Sequence, residues 1–348
     1  MSERILVGMS GGVDSAVAAY LLKIAGYEVI GVTFRLWMGE GSDTEQSVHD
    51  AASICRRLAV PHTVLDLSED FHREVIDAFI AAYESGETPN PCVTCNRRIK
   101  FSKLLAKADE MGAKYVATGH YARVERAEDG TYLLKKAVDE GKDQSYFLYA
   151  LGQAELARLL FPLGEYTKAE IRAIAEQNGF VNARKRDSQD ICFVTDGDYA
   201  AFMEKYTGRS FPEGEFLDVE GKVVGKHKGA IRYTVGQRKG LGVALGKPMF
   251  VCAKDMAKNT VTLGANEDLF SHTLTARDAC FVAETEIGAP LSVTAKIRNT
   301  QKETPAILTR TDKAHFRVDF ETPQRAISKG QSVVLYVGDT VLGGGIIE

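Results

Sequence analysis

The chain has 348 residues, 45% of them hydrophobic and 26% charged, with a formal net charge of -4 at pH 7. That length predicts two or three domains with real cores, and the composition excludes disordered, collagenous, coiled-coil and low-complexity chains. The acidic total excludes a generic basic nucleic-acid coat, so any polyanionic partner must be met by a local basic patch. In chain order, Ile5 to Gly8 reads as a short apolar strand, and Asp14 to Ala25 as a helix with Val17, Leu21 and Leu22 at helical spacing and Gly26 as its stop. Strands are predicted over Tyr27 to Phe34 and His62 to Leu67, with helices over Val48 to Leu58 and Phe71 to Tyr83. A loop, SGETPNPCVTCN, leads into a helix from near Arg97 to Met111, and Tyr115 to Thr118 is a fourth strand. This βα rhythm predicts a parallel sheet with covered faces and a ligand at the carboxyl ends of the strands.

Ala122 to Lys136 reads as a hairpin around Glu128, Asp129 and Gly130, followed by helices over Glu155 to Leu160 and Lys168 to Asn178. The segment ARKRDSQDICF has no periodicity. From Phe216 the texture changes to short alternating runs separated by glycine, Val223 to Gly225, Met249 to Ala253, Thr260 to Leu263, Leu291 to Arg298, Ala314 to Phe320 and Ser332 to Val337. These suit one or two small barrels.

The strongest local signal is VGMSGGVDS, between the first strand and the first helix. Gly8, Gly11 and Gly12 allow close backbone approach, the amides of Ser10 to Ser15 can face one concavity, and the helix N-terminus adds partial positive charge. A glycine turn with Asp14 or Ser15 as helix cap is the ordinary reading of such a string. The full SGGVDS in this position resembles the PP-loop of ATP pyrophosphatases. That likeness implies ATP binding by Gly8, Met9, Ser10, Gly11, Gly12, Val13, Asp14 and Ser15, with Asp14 placing Mg²⁺ against the phosphates. At later strand ends Phe34 would frame adenine and Gly119 would admit the nucleotide.

Six cysteines in this length are too sparse for a disulfide scaffold, and MSERILV lacks the basic stretch and apolar core of a signal peptide. A reducing, cytoplasmic setting is expected. No apolar run approaches the roughly 20 residues of a membrane helix, so no membrane partner is expected. Cys92 and Cys95 form PCVTCN, and Cys192 lies in DSQDICF. A Cys-x-x-Cys in such a protein reads as metal or redox chemistry. Zinc would need a fourth ligand, for which His120 is available. Cys95 is expected at a helix start beside Arg97 and Arg98, which would favour its thiolate. Cys192 falls after Arg184, Lys185 and Arg186 in a segment suited to a mobile loop. Cys55, Cys252 and Cys280 read as packing residues.

Taken together, SGGVDS, TPNPCVTCNRRIKF, ATGHYAR, GKDQSYFL, KRDSQDICF, YTVGQRKGLG and GQSVVLY resemble the tRNA-specific 2-thiouridylases over nearly the whole chain. The resemblance implies an α/β fold class, with a Rossmann-like PP-loop domain over 1–195, a small central domain over 196–270 that contacts tRNA, and a C-terminal β-barrel over 271–348. It implies ATP-dependent 2-thiolation of the wobble uridine, position 34, with adenylation of uridine O2. Sulfur would come from a persulfide on Cys192, charged by a sulfur carrier protein or cysteine desulfurase. Cys95 would then act as nucleophile and resolving thiol, leaving a Cys95–Cys192 disulfide for a cellular thiol reductant.

The chain departs from the family at Cys92, where many members have the aspartate of NPD. A 4Fe-4S cluster on Cys92, Cys95 and Cys192 therefore stands beside the persulfide route as an open alternative. More distant alternatives are another PP-loop enzyme acting on tRNA, and a non-catalytic RNA- or metal-binding protein.

The family pattern implies tRNA contacts at Asn90, Pro91, Cys92, His120, Lys142, Asp143, Gln144, Arg298, Asn299 and Gln331. Asn299 stands where the family often has an aromatic. Residues 222–239 contain six Lys or Arg and no Asp or Glu, the local patch the acidic total requires. With His227 and Tyr233 interleaved, the stretch suits backbone tracking along RNA.

Overall fold

A computed structural model describes residues 2–39, 42–180, 191–243, 246–283 and 290–348. The first half is built on five parallel strands, β1 (Arg4–Gly8), β2 (Glu28–Arg35), β3 (His62–Asp66), β4 (Tyr115–Thr118) and β7 (Leu159–Leu160), in the order β3-β2-β1-β4-β7. Strand β1 is apolar without alternation because both faces are covered. Ile5 and Val7 pack with the helices Val13–Ile24, Thr44–Arg57 and Lys168–Gln177, while Leu6 packs the other way, with Phe101, Leu104 and Ala108.

Three expectations shift here. The stretch expected as a helix over Glu155 to Leu160 is one turn, Gln153–Leu156, after which Leu159 and Leu160 pair with Val116 and Ala117 as an edge strand. Phe161 precedes Pro162, a position that disfavours helix and favours extended backbone. The helix expected from Arg97 starts at Pro91, because Asn90 caps it through the Cys92 amide and proline suits the first helical position. Cys92 and Cys95 thus lie inside a helix running over 91–110, not in a loop. The hairpin β5 (Arg123–Arg126) and β6 (Tyr132–Lys135) forms as expected, yet it joins the C-terminal sheet through β6.

The central region has a four-stranded sheet, β8 (Gly214–Leu217), β9 (Val223–His227), β10 (Phe250–Asp255) and β11 (Thr260–Gly264), around buried Phe216, Val251, Val261 and Leu263. A helix that the sequence reading did not anticipate, Tyr199–Thr207, precedes it, capped by Asp198 and ended by Gly208 at φ +69°. The last strands are β12 (Phe270–Phe281), β13 (Leu291–Lys296), β14 (Thr304–Arg310), β15 (Phe316–Arg325), β16 (Ser332–Val337) and β17 (Thr340–Ile347). They run β12-β15-β14-β13-β16-β17 and close into a six-stranded barrel through β12–β17. Most of ARKRDSQDICF lies outside the described residues. Among the described residues no helix is long and apolar enough to cross a membrane.

Candidate active site

Residues 8–15 turn at the carboxyl edge of the parallel sheet, between β1 and the helix Val13–Ile24. Gly11 has φ +71°, and a Cβ there would meet the Ser47 carbonyl oxygen at 2.6 Å, so glycine is required on both counts. The Ser10 amide donates to Ser15 Oγ at 3.1 Å, the Gly12 amide to Ser10 Oγ at 3.3 Å, and the Ser15 hydroxyl to the Gly12 carbonyl at 3.2 Å. Gly12 caps the helix without a side-chain acceptor for its first amides. Such a turn presents N–H groups that an anion can take up.

Asp14 is tied across this turn. Its carboxylate accepts from the Tyr121 hydroxyl at 2.8 Å, and both of its oxygens lie 2.8 Å from Lys168 Nζ. Neither partner was singled out from sequence. Phe34 is half-buried at the end of β2 and packs on the core. Gly119, just after β4, packs directly against the turn. A Cβ there would stand 2.7 Å from the Ser15 amide nitrogen and 2.8 Å from the Asp14 carbonyl carbon. The missing side chain is filled by the loop itself.

Cys92 and Cys192 are exposed and Cys95 is buried, all three as free thiols. The thiolate expected at Cys95 is not favoured, since burial pushes its thiol up to about 12 against the opposing pull of Lys100. Arg97 and Arg98 are exposed, and Arg98 pairs with Glu74 at 2.9 Å instead. Lys100 is a cation that acts on all three cysteines. Burial opposes its charge, but Cys95, Cys92 and Cys192 together raise its pKa. The same ammonium acts on His120, which burial first and Lys100 second push down to about 3, so its ring is neutral. His120 Nδ1 is 2.7 Å from the Thr118 hydroxyl.

Lys100 escaped the sequence reading because of its spacing. Five residues along an α-helix turn a side chain about 140° away. Residues Cys95–Phe101 are π-helical, however, and that i to i+5 spacing returns Lys100 to the Cys95 face. Cys55 is buried in the core, and Cys252 and Cys280 are half-buried.

Among the described residues no group of three or more His, Cys, Asp or Glu could hold a metal ion. As placed, Cys92, Cys95 and Cys192 do not form a cluster site, nor do they with His120 form a zinc site. Asp14 suits Mg²⁺ as one hard ligand for an ion that arrives with phosphates.

Several of the expected RNA contacts are held by hydrogen bonds within the chain. Asp143 accepts from the Ala137 amide at 3.1 Å and the Ser145 hydroxyl at 2.8 Å, and Gln144 Oε1 from the Tyr121 amide at 3.0 Å. Arg298 donates to the Ala326 carbonyl at 2.7 Å and Ser328 Oγ at 2.8 Å. The Gln331 amide donates to the Thr88 carbonyl at 2.7 Å, and the Thr88 amide to Lys329 O at 2.7 Å, while Arg277 reaches Glu87 at 2.9 Å. Thus the C-terminal barrel grips residues 87–89, which lead to Asn90, Pro91 and Cys92. Lys142 and Asn299 are half-buried.

In the basic stretch Lys222, Lys226, Lys228, Arg238 and Lys239 are exposed, whereas Arg232 pairs with Glu204 at 2.7 Å. The aromatic part of that expectation fails. His227 and Tyr233 are 2% and 5% exposed and pack edge-on with Phe216, so neither can stack on a base.

Three family models match the chain. The one described as tRNA methyl transferase HUP domain covers residues 3–196, the tRNA methyl transferase PRC-barrel domain 200–265, and the Aminomethyltransferase beta-barrel domain 271–347. The tRNA-specific 2-thiouridylase MnmA of Clostridioides difficile is 48% identical over 356 residues, covering 100% of this chain and 99% of that protein. The protein of the same name in Moorella thermoacetica is 51% identical over 352 residues, with 99% of each covered. A solved structure, a 4-thiouridine synthetase in complex with RNA and bound ATP, aligns at 18% identity and TM-score 0.37, over 59% of this chain and 50% of that one.

Proposed function

The chain belongs to the tRNA-specific 2-thiouridylase family, and on that premise we propose that it thiolates the wobble uridine, position 34, by a persulfide route. It is an ATP-using tRNA-uridine 2-sulfurtransferase with a PP-loop. What supports the finer reading is the placement of Cys92 and Cys95 on one helix start with Lys100, a cation whose charge acts on Cys92, Cys95, Cys192 and His120 together. The units 1–195, 196–270 and 271–348 divide the work into adenylation and thiolation, tRNA contact, and support of the catalytic helix start.

In the proposed reaction the uridine O2 attacks the α-phosphorus of ATP, forming an O–P bond and expelling pyrophosphate. The residues of the 8–15 turn bind the phosphates, and Phe34 and Gly119 border the nucleotide. Mg²⁺, when bound, offsets phosphate charge, and Asp14 is the residue that would hold it. The terminal sulfur of the Cys192 persulfide attacks C2, and AMP leaves. Cys95 attacks Cys192 Sγ, so the S–S electron pair goes to the base as thiocarbonyl sulfur and a Cys95–Cys192 disulfide forms. A thiol reductant then restores both cysteines, and a sulfur carrier or desulfurase recharges Cys192. Lys100 offsets the anionic charge on these sulfurs. The base must be flipped out of its stack to reach them, with Asn90, Pro91, Cys92 and His120 at its pocket, and Lys142, Asp143, Gln144, Arg298, Asn299 and Gln331 around it.

The test is mass analysis of tRNA nucleosides after incubation with ATP and a sulfur source, and absence of 2-thiouridine under both aerobic reducing and anaerobic iron-reconstituted conditions would sink the reading. Cys92→Ser separates the two sulfur chemistries. The persulfide route predicts activity within about threefold of wild type, and the cluster predicts loss of activity together with bound iron. A further expectation concerns the basic stretch. Charge reversal of Lys226 and Arg238 should weaken tRNA binding on the order of tenfold at low salt and flatten its salt dependence. Unchanged binding across a salt series would remove this stretch from the interface.

A further inference from the structure

We propose that Lys168 binds the polyphosphate of ATP, and that its pairing with Asp14 is the resting arrangement of that site. The proposal deepens the reading of the 8–15 turn as the ATP site and rests on it. Lys168 is the first residue of the helix Lys168–Gln177, whose start is set by a Thr167–Glu170 capping box. Its own amide donates to Asp139 at 2.9 Å, so the backbone is held while the four-carbon side chain crosses to the phosphate turn. There the ammonium meets both Asp14 oxygens at 2.8 Å and stands 5.7 Å from the Tyr121 ring centre.

Burial makes this arrangement informative. The Lys168 side chain is 8% exposed and that of Asp14 28%. Lysine is rarely buried so far without a counter-charge, and removing one member of such a pair leaves the other costly. A turn built to face an anion cannot, however, hold a bare carboxylate at its mouth when triphosphate arrives. Asp14 sits in the first turn of the helix whose N-terminus faces that anion. Moving the ammonium from Asp14 to a phosphate oxygen leaves the carboxylate for Mg²⁺, a hard cation that prefers such oxygens. Each charge keeps a partner throughout the exchange. A lysine suits this role as a compact charge on a flexible stem with three donors. Tyr121, 2.8 Å from Asp14, keeps the carboxylate oriented while the cation is exchanged.

A purely structural pair would make a different prediction, so the test compares ligands with and without pyrophosphate. Calorimetric titration of the intact protein with ATP, inorganic pyrophosphate and AMP, each with Mg²⁺, is the measurement. Lys168→Met should weaken ATP and pyrophosphate by about 10- to 100-fold and leave AMP within twofold. Lys168→Arg should recover most of the pyrophosphate affinity. Asp14→Asn, which releases Lys168, should tighten pyrophosphate severalfold without Mg²⁺, and this variant decides the matter should Lys168→Met fold poorly. Equal pyrophosphate affinity in wild type and Lys168→Met, equal losses for AMP and ATP, or no metal-free gain in Asp14→Asn would overturn the proposal. Wild-type protein that binds neither ATP nor pyrophosphate would overturn the nucleotide reading itself.

Discussion

Cys95→Ser enzyme should release pyrophosphate from ATP in the presence of tRNA and form no 2-thiouridine, a loss on the order of 10³-fold or more. The split follows from the positions of the two sets of groups. In the proposed reaction ATP activation belongs to the 8–15 turn, while Cys95 sits in the helix over 91–110, buried beside Lys100. A serine hydroxyl cannot open a persulfide or close a disulfide, so the chain of exchanges stops at the adduct in which the base is joined to Cys192 through the transferred sulfur. Cys192→Ser should stop it one step earlier, before sulfur reaches the base. The resting thiol of Cys95, pushed up to about 12 by burial, is almost wholly protonated at neutral pH. Exposed Cys192 should therefore react with iodoacetamide well before Cys95. Nucleoside mass spectrometry and a pyrophosphate assay on the same samples read both halves. Product formation by Cys95→Ser above a tenth of the wild-type rate would remove it as the thiol nucleophile.

Gly119→Val should damage the phosphate turn from behind. Its Cβ would sit 2.7 Å from the Ser15 nitrogen, 2.8 Å from the Asp14 carbonyl carbon and 3.1 Å from Asp14 Cβ, and two of those atoms are backbone. They have nowhere to retreat. Ser15 is 3% exposed, and Asp14 is tied to Lys168 and Tyr121. Overpacking of this kind costs about 3 kcal/mol and should lower Tm by about 5 °C or more. The shift also carries the loop amides off their common target, so pyrophosphate affinity should fall with stability. Gly119→Ala should show the same direction with a smaller displacement. A Gly119→Val protein with wild-type Tm and wild-type pyrophosphate binding would refute the close approach.

Both expectations depend on what was legible in the chain and what was not. Residues 8–15 read correctly as a glycine-rich turn before a helix, because glycine placement and serine spacing are local properties. The Rossmann-like sheet and the β-rich second half were legible for the same reason, since apolar runs and alternation report which faces are covered. That the bare Cα of Gly119 also makes room for the turn itself is decided by the packing of β4 on that turn, which local spacing does not report. Tyr233 and His227 looked available for RNA because they are interleaved with Lys and Arg, but His227 ends β9, Tyr233 follows a single turn, and both rings pack on Phe216 beneath the central sheet. Cys95 looked like a helix-start thiolate beside two arginines. Asn90 and Pro91 start the helix one turn earlier, and that turn carries Cys95 inward and Arg98 outward to Glu74.

The sequence by itself determined the family, the glycine-rich turn ahead of the first helix and the basic stretch that an acidic total conceals, and it pointed to Cys92, Cys95 and Cys192 among six cysteines. These follow from residue type and short-range spacing. Tertiary structure decided which charges stand beside which groups. Lys100 joins the cysteines because a π-helical segment resets the angular spacing along one helix, and Lys168 reaches Asp14 from a helix 154 positions away. It also decided that a barrel at the end of the chain grips the turn before Asn90 through Gln331, Lys329 and Arg277. Charge and hydrogen bonding act through distance in space, and linear spacing does not encode that distance once the chain has folded across itself.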